Sequence, residues 1–131
     1  MHYLGVDFGL RKIGLAVSDG EIASPWKIIE AKSLDSAVEQ LYSLIVQEGF
    51  GEVVVGIPES GKIVGVIKRV INKLKKRGVK IEQVDETLSS KLGQRKMIEL
   101  NLSKKKRRYN DAFAAAEILQ SFLDQKIKDE M

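Results

Sequence analysis

The sequence predicts an α/β fold built around one mixed sheet, and two observations carry that expectation. The first thirty residues hold three β-rich runs, 3–8, 12–18 and 25–30, parted only by short turns at Gly9-Leu10-Arg11 and around Asp19-Gly20, the pattern of an antiparallel meander. Further on, Val53-Val54-Val55-Gly56-Ile57 is uniformly apolar between two stretches of helical periodicity. A strand covered on both faces reads this way, and such strands pair in parallel.

Each element has its own signal. In the second strand Ile13, Leu15 and Val17 fall on one face and Gly14 and Ala16 on the other, so the small-residue face is set for close packing. Ser33 is placed to cap a helix whose apolar residues are Leu34, Ala37, Val38, Leu41, Leu44 and Ile45, with Gly49 as its stop. A second helix carries Ile63, Val66, Ile67, Val70, Ile71 and Leu74, closes on Lys75-Lys76-Arg77 and ends at Gly78. A fifth strand over Val79–Val84, a helical stretch from about Leu88 to Leu100, a basic connection and a final helix over about Asp111–Lys126 complete the order βββαβαβαα. Right-handed crossovers then set the parallel strands beside the meander in a five-stranded mixed sheet flanked by helices.

With 131 residues, 44% of them hydrophobic and 31% charged, the chain reads as a single domain over 1–131 with its own core. A domain of that size buries roughly 65–70% of the surface its unfolded chain exposes. The absence of cysteine excludes disulfides and thiolate metal sites. The start lacks the pattern of a secretion signal, and no apolar run approaches the ~20 residues of a membrane span, so the expected location is the cytoplasm, with no membrane partner. A net charge of +4 agrees with a polyanionic partner without specifying one.

Three acidic positions are candidates for chemistry. Asp7 alternates with Tyr3 and Gly5 on a strand whose other face is Leu4, Val6 and Phe8; there a half-buried carboxylate is either a structural acid holding the Gly9 turn or a metal ligand. Asp85-Glu86 ends the fifth strand, where open α/β sheets bind ligands; alternation directs only one of the two at a site, and both could instead begin the following helix. Asp111 follows a potential cap at Asn110, yet Ala115, Ile118 and Phe122 lie at i+4, i+7 and i+11, which turns its carboxylate toward the sheet. Asp7, Asp85 and Asp111 together offer hard oxygen ligands suited to Mg²⁺ or Mn²⁺. Two such ions about 3.5–4 Å apart support phosphodiester hydrolysis.

The lone histidine, His2, sits at the chain's start, where a fraying surface role fits better than catalysis. The basic run Lys104-Lys105-Lys106-Arg107-Arg108 immediately precedes the Asp111 helix, and Lys91, Arg95 and Lys96 lie on the stretch before it. Beside a phosphodiester site these cations, with Arg11 and Lys12 at the first hairpin, become candidates for holding nucleic acid. Tyr109 is a candidate for base stacking, or for a place in the core.

Gly5-Val6-Asp7-Phe8-Gly9 running on through Arg11-Lys12-Ile13-Gly14-Leu15-Ala16-Val17-Ser18-Asp19, then Val55-Gly56-Ile57-Pro58, Asp85-Glu86 before Leu88-Ser89, and Asp111 with Ala114-Ala115 and Ile118-Leu119-Gln120, resembles the YqgF family across essentially the whole chain. That family consists of small ribonuclease H-like, RuvX-type proteins described as Holliday-junction resolvases and as nucleases maturing the 5′ end of pre-16S rRNA. The resemblance implies a ribonuclease H-like fold and an acidic catalytic site on Asp7, Asp85, Glu86 and Asp111. Its expected substrate is structured RNA of ribosome biogenesis, or else branched DNA of recombination and repair. Two departures stand out: Thr87 occupies the place of an arginine, a fork-shaped phosphate donor, and Glu59-Ser60-Gly61-Lys62 replaces a longer loop. Both bear on activity and substrate choice.

Two other function classes fit parts of the pattern. A non-catalytic RNA-binding module could keep the same fold. The early Asp-x-Gly turn also resembles the phosphate-binding hairpin of sugar kinases and actin-like ATPases, but those enclose nucleotide between two such domains and this chain supplies one. A resolvase of a two-fold junction is expected as a homodimer, whereas an RNA-trimming enzyme can act as a monomer.

Overall fold

The computed structural model describes residues 2–85 and 110–130. In chain order these form β1 (His2–Phe8), β2 (Lys12–Ser18), β3 (Ala23–Glu30), α1 (Leu34–Glu48), β4 (Phe50–Ile57), α2 (Ile63–Lys76), β5 (Ile81–Asp85) and α3 (Asn110–Glu130). The five strands make one sheet in the order β3-β2-β1-β4-β5. β1 pairs antiparallel with β2 and β2 with β3, while β4 runs parallel to both β1 and β5, so the meander and the parallel set meet at the central strand β1. The expected helical stretch over 88–100 lies outside the described residues.

Two cores separate the layers. On one face Leu4, Val6 and Phe8 of β1, Ile13 and Leu15 of β2, and Val53 and Val55 of β4 pack against Val38, Leu41 and Ile45 of α1 and Ile67, Val70, Ile71 and Leu74 of α2. Each of those fully buried aliphatic side chains contributes on the order of 1.5–3 kcal/mol relative to exposure. On the other face Tyr3, Ala16 and Val54 meet Ala115, Ala116, Ile118, Leu119 and Leu123 of α3. Burial on both faces is why 53–57 is uniformly apolar.

Local signals explain most boundaries. The Ser33 hydroxyl accepts from the Ser36 N–H at 3.1 Å, and α1 stops where Gly49 takes φ 71°, a left-handed conformation that costs glycine little. β5 starts at Ile81 rather than Val79, because the turn after α2 continues through Gly78 at φ 89°, and the Val79 N–H still bonds back to the Leu74 carbonyl at 3.2 Å. β4 begins earlier than the apolar run suggests and takes in Glu52, while α3 runs on to Glu130. Pro25 is tolerated because β3 is an edge strand.

The seat of α3 is unusually close. A Cβ added to Gly14 would lie 2.0 Å from the Asp111 carbonyl oxygen, and one added to Gly5 would lie 2.8 Å from both the Ala115 carbonyl oxygen and Leu119 Cβ. The small-residue face of β2 thus lets the helix backbone rest directly on the strand. Gln120 fixes the helix lengthwise: its Oε1 accepts from the Ala23 N–H at 2.8 Å and its Nε2 donates to the Glu21 carbonyl at 2.9 Å. Near its end, Lys126 Nζ donates to the Tyr3 hydroxyl at 2.9 Å and lies 3.9 Å from the buried carboxylate of Glu52, which Lys80 approaches from its other oxygen at 3.9 Å.

Gly14→Ala should therefore destabilise the fold by about 1–3 kcal/mol or more through overpacking. Gly65→Ala, within α2 where an added Cβ meets nothing within 4 Å, should stabilise it by about 0.5–1 kcal/mol. Urea unfolding of the two variants checks the contrast, and equal midpoints would show that the close seat is not limiting. Lys126→Met should lower the melting temperature by leaving Glu52 poorly neutralised, and adding Glu52→Gln should recover part of the loss. Strict additivity in that double-mutant cycle would rule out the coupling.

Candidate active site

The central strand β1 delivers Asp7 at its carboxyl end. Tyr3, Gly5 and Asp7 alternate onto the α3 face, and the register sets Asp7 opposite Gly14 of β2. Since the backbone of Asp111 rests on Gly14, the first turn of α3 starts beside the end of β1. Asp7 is 7% exposed, while Asp111 is partly buried, as the inward stripe of Ala115 and Ile118 requires. The structure thus sets the backbones of two of the acids expected from the sequence at the same end of β1. Two carboxylates on converging backbones, one of them buried, are oxygen ligands of the kind a hard cation takes.

Asp85 is placed differently. It pairs in register with Ile57, as Gln83 does with Val55 and Ile81 with Val53, so it belongs to the α1/α2 face and is exposed at the strand end. Val84, in register with Gly56, is the β5 residue that joins the α3-side core with Tyr3 and Val54. The sheet does not bring Asp85 to the face of Asp7. Glu86, Thr87, Arg95, Tyr109 and the run Lys104, Lys105, Lys106, Arg107 and Arg108 lie outside the described residues, as do Lys91 and Lys96. Among the described residues no group of three or more His, Cys, Asp or Glu side chains is arranged to hold a metal ion.

The two hairpin cations are both exposed and take different faces. Lys12 shares the alternation of Gly14 and so stands on the Asp7 side, whereas Arg11 lines a cleft on the α1/α2 side. The hairpin is closed by the Gly9 N–H donating to the Lys12 carbonyl at 2.8 Å, and the Ala31 N–H braces the Arg11 carbonyl at 3.0 Å. Glu59, Ser60, Gly61 and Lys62 are exposed between β4 and α2, with Glu59 bordering a shallow depression that also touches Asp85. His2 is exposed at the opposite end of β1 from Asp7.

Glu52 and Lys126 were not singled out from sequence. The signal available for Glu52 is a carboxylate two positions before Val54 in a strand buried on both faces. The Tyr3 hydroxyl and the Glu52 carboxylate both hold the Lys126 ammonium above its usual range. Gln120 has a clear structural role, since its amide both accepts from and donates to the backbone around the β2–β3 turn.

A mixed sheet in this order, with an acid ending the central strand and a second acid on the helix packed across it, defines a ribonuclease H-like protein. The family model described as "RuvX: Holliday junction resolvase" matches residues 1–125, and the chain belongs to that family. A protein of Natranaerobius thermophilus named "Putative pre-16S rRNA nuclease" is 33% identical over 97% of this chain and 96% of its own. One of the same name from Anaplasma marginale is 35% identical over 92% of this chain and 83% of its own. In fold, the chain is similar to Thermus thermophilus RuvC in complex with a Holliday junction substrate, with a TM-score of 0.67 and 16% identity over 97% of this chain and 96% of that one. It is also similar to the Fowlpox virus resolvase in complex with Holliday junction DNA, with a TM-score of 0.66 and 12% identity over 95% of this chain and 98% of the other.

Proposed function

We propose that this protein is a metal-dependent nuclease that hydrolyses phosphodiester bonds in processing the 5′ end of pre-16S rRNA. The observation that carries the proposal is the convergence of buried Asp7 with the first turn of α3, which the Gly14 contact enforces. The names of its relatives point to the RNA substrate. A second reading, cleavage of Holliday junctions, is favoured by the description of the family model and by the junction complexes of the proteins sharing its fold.

The donor set fits a hard divalent ion. Asp7 and Asp111 offer carboxylate oxygens only, and Mg²⁺ is typically held by one or two carboxylates together with water and substrate phosphate. Of the acidic pair, we assign the third ligand to Glu86 rather than Asp85, because Asp85 is registered with Ile57 on the opposite face. These residues would hold Mg²⁺ or Mn²⁺, which would supply activation of a water and neutralisation of charge on the phosphate. Lys12, on the same face, supplies a positive charge to the incoming backbone, and the cations of the run from Lys104 to Arg108, with Arg95 and Arg11, are further candidates for phosphate contact. No described helix is long and apolar enough to cross a membrane. We place the protein in the cytoplasm as a single domain.

Purified protein with Mn²⁺ should cut a precursor rRNA leader, and Asp7→Asn or Asp111→Asn should each lower the rate by more than the roughly 10–100-fold that loss of an outer-shell partner of a metal costs. Asp85→Asn should cost less than about tenfold. Cleavage surviving Asp7→Asn sinks the model, whereas binding without cleavage by the unaltered chain favours a non-catalytic module. Preference for a four-way DNA junction, together with a dimeric solution mass, would select the resolvase reading. Independently of activity, Mn²⁺ at a hundredfold excess over its Kd should raise the melting temperature by roughly 5–10 °C. Asp7→Asn should abolish that shift, and a shift that persists would place the ion elsewhere.

A further inference from the structure

Directly behind the site, on the α1/α2 face of the same strand end, the hairpin overhangs a cleft of about 140 Å³. Phe8, Ile13 and Val70 line its apolar floor, and Leu10, Arg11 and Lys32 stand at its rim. Phe8 follows Asp7 in β1 and points to the opposite face, so the cleft and the acidic site lie back to back across one strand end. An enclosed apolar space of about 150 Å³ accepts a single benzene-sized ring, and this cleft, of similar volume but open on one side, can take a flat ring laid on its floor.

Leu10 is 91% exposed. A lone surface leucine usually needs no explanation. This one stands at the tip of a two-residue loop whose closing hydrogen bond, from the Gly9 N–H to the Lys12 carbonyl at 2.8 Å, holds it clear of the body. No carboxylate lines the cleft among the described residues, and neither Arg11 nor Lys32 enters any of the ion pairs formed among them. An apolar floor of one-ring size under a cationic rim matches a nucleobase with its phosphate. A helix face or a second copy of the chain needs a larger surface.

We propose that this cleft receives the base of one unpaired nucleotide, of pyrimidine size, adjacent to the phosphodiester held at Asp7. The ring rests on Phe8 beneath Leu10, and its phosphate is held by Arg11 and Lys32. The inference rests on the nuclease reading and adds a specificity element to it: a base stacked in a duplex cannot enter, so the cleft selects substrates with an unpaired nucleotide beside the cut.

The test uses the full chain carrying Asp7→Asn, so that binding is read without cleavage. Hairpins in RNA and in DNA, identical except for a single bulged position that is a pyrimidine, a purine or an abasic residue, are titrated by fluorescence anisotropy. The pyrimidine bulge should bind about tenfold more tightly than the abasic one, the strength of one base-stacking contact. Adding Leu10→Ala, which is exposed and should leave the melting temperature unchanged, should reduce that preference to about twofold or less while abasic affinity holds. Equal affinity for the three bulges, or a preference that survives Leu10→Ala, overturns the cleft proposal, and Mn²⁺-dependent cleavage by the unaltered chain would show the nuclease reading intact. Binding to none of the hairpins overturns both. A solution mass that falls from dimer to monomer on Leu10→Ala gives the cleft to a second copy and overturns the proposal.

Discussion

The contact between the first turn of α3 and the backbone of β2 sets the position of nearly everything of functional interest. A helix resting on a sheet is usually held off by side chains on both elements, yet here Gly14 and Gly5 remove them from the strands, and the carbonyls of Asp111 and Ala115 come down onto the sheet itself. Such a seat tolerates little rotation, because turning the helix brings Leu119 or the following apolar residues into strand backbone. It also fixes α3 lengthwise, so the start of the helix falls beside the end of β1. Asp111 meets the neighbourhood of Asp7 as a consequence of packing, before any ligand is considered.

Two buried carboxylates share the α3 face, at opposite ends. Glu52 is 3% exposed and lies 3.9 Å from the ammonium groups of both Lys80 and Lys126. That end behaves as a neutralised structural cluster, joined to Tyr3 through Lys126 and steadied by the Gln120 bonds around the β2–β3 turn. At the other end Asp7 converges with a second acid. The same helix therefore carries a cation where it holds the sheet and an acid where it meets the strand end, so anchoring and the proposed chemistry fall at opposite ends of a single element.

Much of this was legible in the sequence. Alternation in β1 and β2, the Ser33 and Gly49 caps and the uniformly apolar core of β4 are local or strictly periodic signals, and the structure follows them. The small face of β2 foretold a close approach, although only the fold reveals that the approaching group is the backbone of Asp111. The acidic pair was harder. Alternation in the sequence predicts that only one of Asp85 and Glu86 faces the site, but which face Asp85 takes needs the pairing of β5 with β4, a long-range fact that no local window contains. Glu52 was obscured for a related reason: one acid next to an apolar run looks like a strand end until pairing with Tyr3 and the cover of α3 bury it.

The end of β1 carries an acid and a cation on one face and a cleft with a cationic rim on the other, and this constrains how a nucleic-acid substrate could approach. Asp7 and Lys12 belong to the α3 side, while Phe8 and Arg11 belong to the other, so cations one residue apart in the hairpin flank the strand end on both sides. A nucleic-acid backbone lying along either face of the sheet would meet only one of them. A backbone crossing the strand end, over the tip that carries Leu10, meets both, and its negative charge is then matched at successive phosphates. Crossing also carries neighbouring nucleotides to opposite sides of β1, which a continuous duplex resists and a bulge, a flap or a branch point permits. On the nuclease reading proposed above, a preference for nucleic acid with a local interruption would follow from the shape of the hairpin, whichever sugar the backbone contains.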